Sequence, residues 1–247
     1  MDKINVGVLL IATGNYHKFV EPFVLSAEKY FLPSIQKNYH VFGDQHCLDR
    51  VDCEWDKLPI IPHYVEHLPF PLPTLLRFHR FLGASLEFSQ YSHLCYSDVD
   101  NIWVDEVRPE EVLSDLSATL HCGYIGGGTD FDMNPKSLAY MGGENHAGAC
   151  YYGGGFILGT PKEYFTMARW CATRINEDFK NNVIAKWHDE SFINKYLNTV
   201  RKPVRELTPS FHFAEYLHKN EEFKQKYPPK LLLLDKKHDE IRRIEYA

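Results

Sequence analysis

Apolar residues run almost unbroken from Asn5 to Ala12 and stop at Thr13-Gly14-Asn15. That pattern predicts a strand buried on both faces and ended by a turn. The spacing then becomes helical: Phe19, Phe23, Val24, Ala27, Tyr30 and Phe31 fall on one side of a helix expected over 16–31. Tyr39-His40-Val41-Phe42 reads as a second strand and Leu58-Pro59-Ile60-Ile61 as a weaker third. Thr74 is placed to cap a helix that buries Leu75, Phe78, Leu82 and Leu86. His93-Leu94-Cys95-Tyr96 makes a short strand that ends at Ser97-Asp98-Val99-Asp100. This alternation predicts α/β units on a largely parallel sheet, whose ligands bind at the carboxyl ends of the strands.

The second half is less regular. Leu116 to His121 reads as a strand, Gly123 to Gly148 as a glycine-rich mobile loop, and Gly155-Phe156-Ile157-Leu158 as a further strand. Thr160-Pro161-Lys162-Glu163 combines a capping box with a proline at the first helical position. Trp187-His188-Asp189-Glu190-Ser191 opens a helix whose apolar residues are Phe192, Ile193, Tyr196 and Leu197, and Leu231 to Leu234 form a last strand. With no repeat, low-complexity stretch or linker, the 247 residues are expected to form one domain.

Composition narrows the function. Lysine and arginine total 27 against 33 aspartates and glutamates, a formal charge of −6 with the 13 histidines neutral. Net acidity argues against a dedicated nucleic-acid binder, while leaving room for a polyanionic small molecule held by a few local cations or a metal. No apolar run is long enough for a membrane-spanning helix, and Met1-Asp2-Lys3-Ile4-Asn5 leads into a strand without a cleavable small-residue site. Cys47, Cys53, Cys95, Cys122, Cys150 and Cys171 are scattered without C-x-x-C spacing. The expectation is a soluble cytoplasmic protein with reduced thiols.

Four segments carry candidate chemistry. Asp98 and Asp100 lie two apart at a strand end, so both can face one side and share a divalent cation. Asp130-Phe131-Asp132 repeats the spacing, as chance allows, in a polar loop where ligand sites are less expected. Glu190 falls on the inward side of its helix, a costly place for a carboxylate that is neither paired nor used. Either Asp189 or Glu190 could instead serve the helix dipole. His188 lacks a partner histidine at metal-ligand spacing, so zinc is not expected there.

Tyr151-Tyr152-Gly153-Gly154-Gly155 leaves room for a ligand against bare backbone, or else makes a flexible turn. Neither a strand-to-helix G-x-G-x-x-G nor a Walker loop occurs. The cations of the tail, among them Lys236 and Arg242, are either solvated or able to fold over a phosphate group.

In this order, these segments resemble glycosyltransferase family 6, the family of the histo-blood-group A and B transferases and the α-1,3-galactosyltransferase, over nearly the whole chain. Trp187-His188-Asp189-Glu190-Ser191 followed by Asn194-Lys195-Tyr196 is the most specific match. The resemblance implies a GT-A fold, Rossmann-like, in one catalytic domain over 1–247. Its nucleotide-binding half would cover about 1–100, and its acceptor-binding half, with the tail, about 101–247. It implies a retaining enzyme that moves a hexose from a UDP-sugar to the 3-hydroxyl of a β-galactoside oligosaccharide or glycolipid, with a fucosylated acceptor expected. Such a protein would meet a membrane only peripherally, through its acceptor.

The donor site implied by the resemblance comprises Ile11, Ala12, Thr13, Tyr16, Arg77, Asp98, Val99, Asp100, Gly153, Gly154, Gly155, Asp189, Lys236 and Arg242. Ala12 and Tyr16 would contact uridine, Asp98 and Asp100 would hold Mn²⁺, with Mg²⁺ as a substitute, and Lys236 and Arg242 would close over the diphosphate. Glu190 is the implied catalytic carboxylate, as nucleophile of a double displacement or as stabiliser of an oxocarbenium-like ion in a front-face reaction. His121, Trp187 and Glu190 would meet the acceptor. Glycine at the third position of Gly153-Gly154-Gly155 implies UDP-N-acetylgalactosamine, because a side chain there would crowd the acetamido group. UDP-galactose is the alternative donor, and an inactive UDP-sugar-binding protein is the reading from another class.

Two segments depart from the family on the acceptor side: His121-Cys122-Gly123-Tyr124-Ile125 stands for His-Pro-Gly-Phe-Tyr, and Phe131-Asp132-Met133-Asn134 for Tyr-Glu-Arg-Arg. Several short bacterial relatives carry Asn-x-Asn and work without a cation. Retention of Asp98 and Asp100 in a chain of bacterial-type length therefore implies metal dependence.

Overall fold

The computed structural model describes residues 3–50, 57–125, 129–143, 148–237 and 241. Its strands are β1 (Asn5–Ile11), β2 (Gln36–Gly43), β3 (Ile60–Tyr64), β4 (His93–Ser97), β5 (Asn101–Trp103), β6 (Leu116–Leu120), β7 (Tyr152–Gly159), β8 (Arg205–Leu207), β9 (Phe213–Ala214) and β10 (Leu231–Leu233). The α-helices are α1 (His17–Tyr30), α2 (Gln45–Arg50), α3 (Leu72–Leu75), α4 (Arg77–Gly83), α5 (Pro109–Val112), α6 (Pro161–Lys180), α7 (His188–Thr199) and α8 (Glu221–Lys226). Seven strands form one sheet in the order β3-β2-β1-β4-β7-β6-β8, and β5, β10 and β9 form a second. In the large sheet every pairing is parallel except those of β7, which runs antiparallel to both β4 and β6. This is the mixed, mostly parallel α/β sheet of a GT-A-like glycosyltransferase fold.

The unbroken apolar run of β1 is explained by burial on both faces. Val6, Val8 and Leu10 pack with Phe23, Val24 and Ala27 of α1, while Leu9 joins the opposite core with Phe78 of α4, Met167 of α6 and Ile193 of α7. Helix α1 buries the expected face at Phe23, Val24 and Ala27, and Phe31 stacks on Trp103 with ring centroids 4.3 Å apart.

Several local expectations are corrected. Thr74 lies inside the short α3 and its Oγ1 donates to the Pro71 carbonyl at 2.8 Å, so it caps nothing. The next helix ends at Gly83, and Leu86 beyond it is 91% exposed; Phe81 takes the buried position instead. At α6 the proline stands at the first turn, but the Thr160 side chain makes no capping bond. Glu163 is drawn away to Arg201, 3.2 Å distant. The described part of the glycine-rich segment is anchored: Asp178, at the end of α6, accepts from Ser137 Oγ at 2.8 Å and from the Leu138 amide at 3.0 Å. Phe131, Met141 and Tyr151 form a small core of their own there.

Two features position the site. Tyr152 to Gly159 is one strand, so Gly153, Gly154 and Gly155 lie within β7 rather than before it. Its register against β6 jumps: Ala118 faces Ile157, and the next residue, Thr119, faces Gly153. Residues 154–156 bulge out of the ladder with β6; Phe156 stays paired with Ser97 of β4, while the Gly154 amide and carbonyl bond elsewhere.

Helix α7 docks on the start of β7 through two asparagines one turn apart. Asn194 Oδ1 accepts from the Tyr152 amide and its Nδ2 donates to the Tyr152 carbonyl, both at 2.8 Å. Asn198 makes the same pair with Cys150, at 3.1 and 2.9 Å. Asn194 is wholly buried. Asn194→Ala would strand a buried N–H and a buried C=O and is expected to cost about 2–4 kcal/mol in denaturant unfolding. The less buried Asn198→Ala should cost about 1 kcal/mol.

Candidate active site

At the carboxyl ends of β1 and β4 lies a cavity of about 270 Å³, lined among others by Ile11, Thr13, Tyr16, Asp98, Val99, Asp100 and Lys236. Ala12 sits between two lining residues but is wholly buried in the core. Gly14 turns the chain away from β1 with φ of +58°, and its amide donates to Asp44 Oδ2 at 2.9 Å. Asp98 and Asp100 share this cavity for a reason other than strand alternation. The strand stops at Ser97, and a turn closed by the Asn101 amide on the Asp98 carbonyl at 3.2 Å carries both carboxylates inward. Tyr96 donates its hydroxyl to Asp98 Oδ1 at 2.6 Å, and Asp100 is ion-paired with Lys236, whose Nζ lies 5.1 Å from the Tyr16 ring centroid. The start of the cationic tail therefore lies against the cavity, while Arg242 falls outside the described residues.

Next to Asp98, the first residues of α4 and α7 meet the β7 bulge. Arg77 is only 3% exposed, pairs with Asp189, donates from Nη1 to the Gly154 carbonyl at 3.0 Å and lies 4.1 Å over the Tyr96 ring. Burial opposes its charge, but Asp189, Tyr96 and Asp98 outweigh that and hold its pKa above the ordinary value. Burial pushes the Asp189 carboxyl up to about 6 against the pull of Arg77 and of the amides of residues 189 and 190. The helix-dipole reading thus describes Asp189.

Glu190 points elsewhere: Oε2 accepts from the Gly154 amide at 2.7 Å and Oε1 from the Tyr151 hydroxyl at 2.8 Å. Burial raises its carboxyl to about 7, with these two hydrogen bonds opposing the rise. Side chains here would be crowded: a Cβ on Gly154 would stand 3.0 Å from Arg77 and 3.3 Å from Glu190, and one on Gly155 2.9 Å from Asp98 Oδ2.

Aromatic rings border the other side. His121 lies with its ring centroid 4.8 Å from Tyr124, 5.6 Å from Tyr151 and 4.5 Å from His212. Trp187 is exposed, and its Nε1 donates to Asp130 Oδ2 at 2.9 Å while Lys186 pairs with the same carboxylate. Asp132 accepts the Lys186 amide at 2.8 Å. The second Asp-x-Asp is thereby a brace for the Trp187 platform.

Two donor sets could hold a cation. Asp98 and Asp100 offer hard carboxylate oxygens to a common cavity, with Asp100 balanced by Lys236, and such a donor set suits a hard divalent cation. His121, Cys122 and His212 bring ligand-type atoms within 4.8 Å of one another. There the Gly123 amide donates to His121 Nδ1 at 3.0 Å, which leaves the proton on Nε2 and makes that atom a donor rather than a ligand.

The family-6 glycosyltransferase model matches residues 84–243, and an Escherichia coli protein, O-antigen biosynthesis glycosyltransferase WbnI, is 30% identical over 202 residues, 77% of this chain and 81% of its own. The chain belongs to glycosyltransferase family 6. The rat histo-blood group ABO system transferase 1 is 28% identical over 88% of the chain, which spans 63% of that relative. The chicken globoside alpha-1,3-N-acetylgalactosaminyltransferase 1 is 27% identical over 97% of the chain and 69% of its own length.

In this family-6 chain the cavity gathers Ile11, Thr13, Tyr16, Asp98, Val99, Asp100 and Lys236, and Arg77, Asp189, Glu190 and the glycine run adjoin it through Asp98. His121 and Trp187 do not line that cavity; His121 lies against Tyr151, and Trp187 is bonded to Asp130. Sequence reasoning did not reach Tyr151 as the partner of Glu190, Asn194 as its anchor, or His212. Only Asn194 left a signal, one helical turn beyond Glu190 on the same inward face.

The raised carboxyl of Glu190 has a consequence for stability in the protein without nucleotide or metal. Its folded value near 7 exceeds the unfolded 4.5. The stabilisation is therefore complete below the unfolded value and is lost as pH rises from there through 7. Glu190→Gln, neutral at every pH, should match the wild type in Tm near pH 4 and exceed it by several degrees at pH 8. An unchanged difference across that range would contradict the burial assigned to this carboxyl.

Proposed function

We propose that this chain is a retaining transferase that moves N-acetylgalactosamine from UDP-N-acetylgalactosamine to the 3-hydroxyl of a β-galactoside acceptor, with Mn²⁺ bound at Asp98 and Asp100. The observation that carries the reading is the convergence of Glu190, oriented by the Gly154 amide and the Tyr151 hydroxyl, on a side-chain-free stretch of β7 next to the two aspartates. The printed names of the rat and chicken relatives support the reaction class, and that of the chicken protein supports the sugar. Gly155 supports the same donor, since a side chain there would crowd the acetamido group.

Glu190 acts at the anomeric carbon. In a double displacement one of its oxygens bonds to that carbon as the bond to the diphosphate oxygen breaks, with the released UDP still held in the site. The acceptor oxygen then takes the carbon, Glu190 is released and the hydroxyl proton passes to a phosphate oxygen of UDP. In a front-face reaction the same carboxylate stabilises the oxocarbenium-like centre. Bound metal would neutralise charge developing on the leaving diphosphate. Arg77 fixes Asp189 for the sugar hydroxyls, Lys236 turns from Asp100 toward phosphate, and Trp187 and His121 Nε2 receive the acceptor.

The test pairs each UDP-hexose with a fucosylated lactose and Mn²⁺; faster transfer from UDP-galactose would overturn the donor assignment. Glu190→Gln should lower kcat by about a hundredfold or more with UDP affinity nearly unchanged. Asp100→Asn should remove stimulation by Mn²⁺. Because either role of Glu190 needs the ionised form, kcat/KM should fall about tenfold per unit as pH drops below about 7, and a flat profile from pH 5 to 8 would count against it.

A further inference from the structure

Gly153 is the residue of the glycine run whose missing side chain is most closely replaced by another residue. Its φ lies outside the left-handed region, so the backbone itself admits any side chain. A Cβ there would stand 2.4 Å from Cδ2 and 2.5 Å from Nε2 of His212. The imidazole occupies the volume into which residue 153 would otherwise project, on the same side of β7 as Gly155, whose own Cβ would lie 2.9 Å from Asp98 Oδ2 and 3.7 Å from His212 Cδ2. His212 comes from a distant part of the chain, the turn after Thr208, held by its amide on the Pro209 carbonyl at 3.0 Å. Its ring is 5% exposed and leans on His121 at 4.5 Å.

We propose that His212 is the specificity-determining wall of the sugar pocket, a side chain supplied from outside β7 that fills the place of a residue-153 side chain and bounds the space over Gly155 where the C2 substituent of a UDP-hexose is read. The inference rests on the donor site proposed above. Phosphates held beside Asp98 bring the hexose to the face of β7 on which Asp98 and the imidazole flank Gly155, so a substituent at C2 packs on the ring edge. Burial and His121 push the His212 pKa down to about 3, so the ring is neutral and selects by shape and contact rather than by charge. The strand that follows, β9, pairs with β10 and so leads to Lys236, which ties the wall to the segment that meets the diphosphate.

The experiment measures kcat/KM for UDP-N-acetylgalactosamine and UDP-galactose, and the Kd of UDP, in the wild type, His212→Ala, His212→Leu, Gly153→Ala and the Gly153→Ala/His212→Ala double variant. Either change at His212 should shift the ratio of the two donors by about tenfold, the effect of removing one apolar contact from a hexose, with UDP affinity within about twofold of wild type. Gly153→Ala alone should lose turnover with both donors by about tenfold or more, and the double variant should regain it, since the imidazole is the group that the methyl would strike most closely. A donor ratio unchanged in both His212 variants, or a fully active Gly153→Ala, would overturn the inference while leaving the transferase reading intact. A wild type that binds UDP but turns over neither sugar would refute the transferase reading instead. The same comparison then uses the Kd values of the two UDP-hexoses, and an unaltered ratio there overturns the inference separately.

Discussion

The site depends on the backbone groups that β7 withholds from its neighbour. Where the register jumps between Ala118 and Thr119, the Gly154 amide is free for Glu190 and the Gly154 carbonyl for Arg77, while on the β4 side the Gly155 carbonyl accepts from the Asp98 amide and the Asn101 side chain at 3.0 and 3.2 Å. An ordinary ladder would use these groups up in strand pairing. The bulge lets one short segment orient three acidic or basic residues from three separate elements. A side chain at 154 or 155 would crowd the groups the backbone is holding, Arg77 and Glu190 at the first and Asp98 at the second.

Rigid placement of α7 follows from the same segment. Asn194 and Asn198 treat the edge of residues 150–152 as a partner strand would, each satisfying one N–H and one C=O. That contact sets the height of the helix N-terminus and hence of Asp189 and Glu190. A carboxylate held by two hydrogen bonds on a buried helix end is pre-oriented, so little reorganisation is needed when a ligand arrives.

Charge at the centre is balanced locally. Arg77 is surrounded by Asp189, Asp98 and the Gly154 carbonyl, and Lys236 answers Asp100. The overall charge of −6 therefore says little about the ligand. A polyanion can approach because the two cations nearest the cavity are placed by folding, one buried beneath it and one brought in by the tail. The paired tyrosines divide labour in the same way: Tyr151 donates to Glu190, while Tyr152 supplies the backbone pair for Asn194 and sends its hydroxyl to Glu206 at 2.6 Å.

By itself the sequence determined the α/β layering, the strands that end at Thr13 and Asp98, the helix opened by Trp187 to Ser191 and, through its motifs, the family. Those features are local: periodicity of 2 or 3.6 residues and short motifs survive in one dimension. It misplaced Leu86 and the Thr160 cap, where a partner elsewhere in the fold, or a helix ending early, overrode propensity. Only the tertiary structure decided that the glycine run is a bulged strand, that Asp130 braces Trp187, that Tyr151 holds Glu190, and that His212 fills the volume left by Gly153. Each is a contact between residues dozens of positions apart, and nothing in the spacing of one partner encodes where packing will bring the other.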